Sequence, residues 1–205
     1  MTEAGMVLSN PLSGVRKPGS VGLPLPGVSV RIADPETGDD LAPGAVGELL
    51  LRSGSLFKGY WAKPEADREV LLADGWFRSG DLACQDPDGY FRIVGRRREL
   101  IITGGFNVYP REVEAVLESH PAVAEAAVFA QPDPDLGERV CAVVVLARPG
   151  TNVQELRHFC REALAAYKCP RAIRFLQALP RNPMGKVMKE ALVKSLFSEA
   201  TATGP

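Results

Sequence analysis

The stretch "ELIITGGFNVYPREVE" (Glu99–Glu114) leaves its backbone few options. The apolar run through Leu100, Ile101 and Ile102 reads as a strand. Gly104 and Gly105 then interrupt it. Adjacent glycines weaken any regular element, so they belong where a turn needs unusual dihedrals or where another molecule must lie against bare backbone. Pro110 suits the first turn of a helix, because the amide hydrogen it lacks would have no partner there. Val113, Val116 and Leu117 follow at i, i+3 and i+4, which predicts an apolar stripe with Glu112, Glu114 and Glu118 facing out.

On either side of this stretch the sequence has two different characters. Upstream it reads as strands and turns. "VSVRI" (28–32) alternates apolar and polar residues and "GELLLRS" (47–53) is a second strand. "DLACQ" and "YFRIV" flank "DPDG", a hairpin signal, while "PGSVGLPLPG" (18–27) reads as loop. Downstream, strands and helices alternate. "AVAEAAVFA" and "ERVCAVVVLA" are strands, "NVQELRHFCREALAA" is an amphipathic helix through Leu156, Phe159 and Leu164, "AIRFL" is a short strand and "VMKEALVKSLF" a last helix. The expected fold class is α+β: a β-rich region over residues 1–95, then a small α+β domain over residues 96–205 whose tail beyond Phe197 frays.

With 24 Lys plus Arg against 25 Asp plus Glu, the net charge of −1 gives no basic excess for nucleic acid or an anionic membrane. The apolar runs are too short to span a bilayer, and "MTEAGMVLSN" lacks the order of a signal peptide. Cys84, Cys141, Cys160 and Cys169 form no CxxC pair, so free, mostly buried thiols in a reducing, cytoplasmic setting are expected rather than a zinc site.

Three stretches hold more glycine and polar residues than folding requires. In "DGWFRSGDLA", Asp81 is either a turn aspartate or a carboxylate able to accept hydrogen bonds from vicinal hydroxyls. In "GRRREL", Arg96, Arg97 and Arg98 form either a solvated basic face or a phosphate-binding or swivel segment between the two regions. In "LPRNPMGKV", Lys186 is either a solvent-facing lysine or a mobile cation delivered to an anion; Val187 stands where a phosphate-binding P-loop needs Ser or Thr.

Read in order, "MTE", "GSVGLPLPGV", "GELLLRS", "GYW", "GWFRSGD", "GRRRELIITGGFNVYPREVE" and "LPRNPMGKV" resemble the adenylate-forming acyl-CoA synthetase superfamily, and the pattern is most similar to its malonyl-CoA synthetases. The resemblance implies ligation of a small carboxylic acid, malonate or a similar short acid, to CoA with ATP and Mg²⁺, through an acyl-adenylate. Medium-chain or aryl acids are the alternative substrates. It implies that Thr2 contacts the AMP phosphate, that Glu3 holds Mg²⁺ and that Asp81 binds the ribose hydroxyls beside Arg96. Gly5 and Met6 would line the acyl pocket. Arg98 matches the hinge, where many relatives carry Asp or Lys. Lys186 would be the adenylation lysine. Gly104, Gly105, Phe106 and Asn107 would face the active site during thioester formation, the glycines letting the pantetheine arm pass. The phosphate loop that such enzymes carry upstream of "MTE" has no counterpart here. The expectation is therefore a fragment inactive alone, or a module that docks on a separate N-terminal domain.

Overall fold

Short strands open the structure, a computed structural model that describes residues 1–197. β1 (Leu8–Ser9) and β2 (Leu23–Pro24) pair antiparallel, so the stretch expected to be loop contributes a ladder. Gly22 explains it: a Cβ there would fall 1.9 Å from the Ser9 carbonyl carbon, and only bare backbone permits that approach. β3 (Val28–Ala33), β4 (Gly47–Ser53), β5 (Phe77–Gln85) and β6 (Phe91–Arg96) follow as an antiparallel sheet in sequence order. The DPDG hairpin joins β5 and β6; Asp86 Oδ1 accepts from the Asp88 and Tyr90 amides at 3.0 and 2.9 Å. Alternation along these strands buries Leu49, Leu51, Phe77, Ala83 and Phe91, with Ala4 and Val7 packed on them. α1 (Pro64–Val70) lies between β4 and β5. It buries no residue, so it has no apolar stripe for sequence reading to find.

These elements form one compact unit, Met1–Arg98, and a second begins at Glu99. The sequence reading placed the division after Gly95; β6 continues through Arg96, which pairs in register with Asp81.

In the second unit, β7 (Ile101–Thr103) and β8 (Phe106–Val108) form a hairpin, followed by α2 (Pro110–Glu118), β9 (Val123–Asp133), β10 (Gly137–Leu146), α3 (Val153–Ala163), β11 (Ala172–Leu176) and α4 (Lys189–Phe197). β10 is central. It pairs antiparallel with β9 along its length, parallel with β11, and through Gly137 with Thr103 of β7. Both faces of this sheet are covered, and the period of two sorts its side chains. Ala126, Val128, Val140, Ala142 and Val144 meet Val113 and Leu117 of α2 and Leu156 and Cys160 of α3. Ala127, Phe129, Cys141 and Val143 meet Leu192 of α4 and Leu179, which precedes that helix. Asn152 caps α3 by accepting from the Gln154 and Glu155 amides.

The outward orientation expected of the three α2 glutamates is corrected for Glu114. Glu114 is buried; its Oε1 accepts from the Val128 amide at 2.9 Å and meets Lys189 Nζ at 2.8 Å. The cause is the breadth of the buried stripe, which runs through Pro110, Val113, Glu114 and Leu117. Glu118 is exposed, as expected, and its Oε1 accepts from the Ala126 amide at 3.2 Å. All four cysteines are free thiols, and burial and the nearby Cys169 push Cys160 up to about 11. No helix among the described residues is long and apolar enough to cross a membrane. The tail beyond Phe197, expected to fray, lies outside the described residues.

Candidate functional site

Two features of the first unit bring Glu3 and Asp81 within each other's electrostatic influence. The first is the turn at residues 1–5, in which the Gly5 amide donates to the Met1 carbonyl at 2.9 Å with Gly5 at φ +66°. Burial of Ala4, and bonds from the Phe57 amide and Ser55 hydroxyl to the Glu3 and Ala4 carbonyls, hold the turn on the sheet. Tyr60 Oη donates to Glu3 Oε1 at 3.1 Å. Tyr60 went unassigned in the sequence, where nothing links a residue in "GYW" to one so distant in the chain.

The second feature is a bulge. Arg78–Leu82 of β5 lies opposite Glu48–Leu50 of β4, so β5 carries surplus residues, with Gly80 at φ +69°. Asp81 is thus a mid-strand residue re-aimed by the bulge, not the turn residue that the sequence suggested. Its Oδ1 receives Arg96 Nε at 2.7 Å, and its other oxygen takes no hydrogen bond among the described residues. Burial pushes the Asp81 carboxyl above its ordinary range, and the Arg96 guanidinium pulls against that. Arg96→Ala is therefore expected to raise the Asp81 titration midpoint further, because it removes the cation that favours the charged form. Carboxyl-carbon NMR across a pH series measures this; an unchanged or lower midpoint contradicts it.

Thr2 is exposed, as are Gly5 and Met6. A Cβ on Gly5 would have no atom within 4 Å, so among the described residues nothing walls an acyl pocket there. Arg97 lies 3.5 Å from Glu48, a buried β4 carboxylate that also holds Arg78 at 2.8 Å. Arg98 makes no ion pair or hydrogen bond among the described residues.

In the second unit, Gly104 and Gly105 have φ of +55° and +81°. Two positive φ values in a two-residue loop are what a tight hairpin of primed type demands. The stretch read as a strand-to-helix turn is thus a complete hairpin, with Asn107 opposite Ile102 on β8. Phe106 stacks on Tyr167 with centroids 4.7 Å apart. The Gly104 amide donates to the Leu136 carbonyl at 2.9 Å, fixing the hairpin to the β9–β10 tip.

Lys186 sits on a braced turn. Asn182 Oδ1 accepts from the Met184 and Lys186 amides at 3.0 and 2.9 Å, and the Asn182 carbonyl accepts from Gly185 at 2.9 Å. Arg181 bonds the Gly185 carbonyl at 2.8 Å and Glu125 of β9 at 2.9 Å. The Lys186 side chain stands out into solvent, as does that of Met184. Glu125 pairs with Val145 at one end of β10, whereas the glycine hairpin pairs with Gly137 at the other. At about 3.4 Å per residue, that separates the two loops by roughly 27 Å along the strand.

The first unit matches the family described as AMP-binding enzyme over residues 1–61, and the second the AMP-binding enzyme C-terminal domain over residues 112–186. The chain is 40% identical to a malonate–CoA ligase of Arabidopsis thaliana, over 97% of this chain and 34% of the relative. It is also 40% identical to a long-chain-fatty-acid–CoA ligase of Bacillus subtilis, over 95% of this chain and 35% of the relative. The ATP-bound crystal structure of MatB from Rhodopseudomonas palustris superposes with a TM-score of 0.90 at 44% identity, covering 97% of this chain and 40% of MatB. The chain thus spans about a third of the length of the curated relatives it matches.

Proposed function

The chain belongs to the AMP-binding enzyme family, and on that premise we propose that its units take part in ATP-dependent ligation of malonate, or a similar short carboxylic acid, to CoA. A carboxylate oxygen attacks the α-phosphorus of ATP and the bond to pyrophosphate breaks. The sulfur of CoA then attacks the acyl carbon and the bond to AMP breaks, giving the thioester.

The residues divide between these steps. Asp81, with one oxygen held by Arg96 and the other without a partner among the described residues, accepts hydrogen bonds from the ribose hydroxyls. Thr2 contacts the AMP phosphate. Glu3 is a single carboxylate, and no group of three ligating side chains exists among the described residues. That donor set fits Mg²⁺, which takes one or two carboxylates and completes its shell with water and substrate phosphates. When bound, the ion offsets phosphate charge that repels the incoming carboxylate. Lys186 places its ammonium between that carboxylate and the α-phosphate. Gly104 and Gly105 offer bare backbone to the pantetheine arm, with Asn107 beside the adenylate. Gly5 and Met6 border the acid.

The observation that carries this reading is the placement of Lys186 and the glycine hairpin at opposite ends of β10. One orientation of the second unit presents one of them to a given point, so two steps need two orientations, and Arg98 is the residue about which they interchange. The test is a chimera in which residues 1–197 replace the corresponding part of MatB from Rhodopseudomonas palustris. Malonate-dependent AMP and thioester formation is expected. A folded chimera that forms neither adenylate nor thioester with any acid ends the reading, and turnover of long-chain acids but not malonate overturns the substrate.

A further inference from the structure

α1 buries no residue, yet it fastens the loop in front of it. Asp67, in the first turn of α1, reaches back so that its Oδ1 accepts from the Tyr60 amide at 2.7 Å. Gly59 makes room for that carboxylate, since a Cβ there would fall 2.6 Å from Asp67 Oδ2. The loop also holds Ala62 at φ +53°, a conformation that a residue with a side chain keeps only where its surroundings impose it. The Tyr60 ring meets Phe57 edge-on at 4.8 Å, and Phe57 meets the buried Phe77 of β5 edge-on at 5.6 Å. Backbone and ring of Tyr60 are thus both held. The group they set in place is a hydroxyl, which donates to Glu3 Oε1 at 3.1 Å.

The same loop grips Glu3 twice. The Phe57 amide donates to the Glu3 carbonyl at 2.7 Å, so backbone and carboxylate of Glu3 are both tied to residues 57–60. Glu3 Oε2 takes no hydrogen bond among the described residues. A glutamate side chain has several free torsions, and ordering them costs entropy that a bound ion would otherwise have to offset. The chemistry of the partner decides what the ordering is good for. An arginine or lysine would order the carboxylate and neutralise it as well. A neutral phenol orders one oxygen and leaves the whole negative charge for a cation at the other.

We propose that Tyr60 is a positioning residue for Glu3: its hydroxyl fixes Oε1 and so presents Oε2 to the divalent cation, while Asp67 fixes Tyr60. The assignment rests on the reading of Glu3 as the carboxylate that holds Mg²⁺. It adds to that reading two residues, one from the loop before α1 and one from α1 itself, that act through Glu3 alone.

Mn²⁺, a paramagnetic stand-in for Mg²⁺, reads the site without turnover. Its affinity is measured by electron paramagnetic resonance in the chimera defined above, with a non-hydrolysable ATP analogue bound. Tyr60→Phe keeps the ring against Phe57 and removes only the hydroxyl. It is expected to weaken Mn²⁺ by about 10- to 100-fold, the usual effect of freeing a metal-binding carboxylate from the group that orients it. Affinity for the analogue without metal, and the circular dichroism of the variant, stay unchanged. Asp67→Ala weakens Mn²⁺ less, and Asp67→Asn, whose amide oxygen still accepts from Tyr60, does not weaken it. Tyr90→Phe, which removes a hydroxyl bonded to the Val15 carbonyl, leaves it unchanged. In a Glu3→Gln background Tyr60→Phe adds no further loss, because the carboxylate it acts through is gone. The proposal is overturned if Glu3→Gln weakens Mn²⁺ and Tyr60→Phe does not, if the two losses add, or if Tyr90→Phe matches Tyr60→Phe. If neither Glu3→Gln nor Tyr60→Phe changes the affinity, the reading of Glu3 falls and takes this proposal with it. Mn²⁺ losses from both in a chimera that ligates no acid leave Tyr60 standing and remove the ligase reading.

Discussion

Lys186→Ala, placed in the chimera, is expected to slow acyl-adenylate formation by about 10² to 10³, the usual effect of losing one preorganised charge aimed at a transition state that gathers negative oxygens. The turn that carries Lys186 is closed by Asn182 and Arg181 without help from the lysine side chain, so the variant keeps its fold. Thioester formation from supplied acyl-adenylate is expected to stay within a factor of about two, because the hairpin proposed for that step lies at the other end of β10. Pyrophosphate exchange reads the first step, and CoA consumption with synthetic adenylate reads the second. Equal slowing of both would make Lys186 a general binding or structural residue and remove the division of labour between the two loops.

Lys189→Met is expected to be the most destabilising single change at a charged position in the second unit. Lys189 Nζ lies 2.8 Å from Glu114 Oε1 and 2.9 Å from Glu99 Oε2, and the Glu114 side chain is only 6% exposed. Removing one partner of a buried pair strands the other charge, at a cost of about 3 kcal/mol. Urea unfolding at neutral pH reads it as a lower midpoint with an unchanged slope. Adding Glu114→Gln should recover most of the loss, since the amide oxygen still accepts from Val128 and no charge remains to desolvate. A loss below about 0.5 kcal/mol, or no recovery in the double variant, would show the pair to be a surface contact of the ordinary weak kind.

Sequence reading went furthest where burial follows a short period. "GELLLRS" is β4 to the residue, and the apolar alternation of "ERVCAVVVLA" gave β10, because every second side chain there enters a different core. It failed where the deciding partner is remote. Glu114 sits in a helix whose pattern allows it to face either way; the Val128 amide and Lys189 settle the matter, and neither is near it in sequence. The bulge that re-aims Asp81 is a property of pairing between β4 and β5 and leaves no mark beyond Gly80. β8, three residues long, is too short to establish alternation. Lys186 and the paired glycines were legible as unusual loop residues, but their separation follows from the register of β10 with β9 and β7, which no local pattern encodes.

The run Arg96–Glu99 has one further consequence. Arg96 is tied to Asp81 and Arg97 to Glu48, while Glu99 is tied to Lys189. Each tie stays within its own unit, and Arg98 alone between them has no partner among the described residues. Arg97–Glu99 form a single 3-10 turn, so Arg98 sits inside regular backbone, and replacing its side chain removes no ion pair from either unit among the described residues.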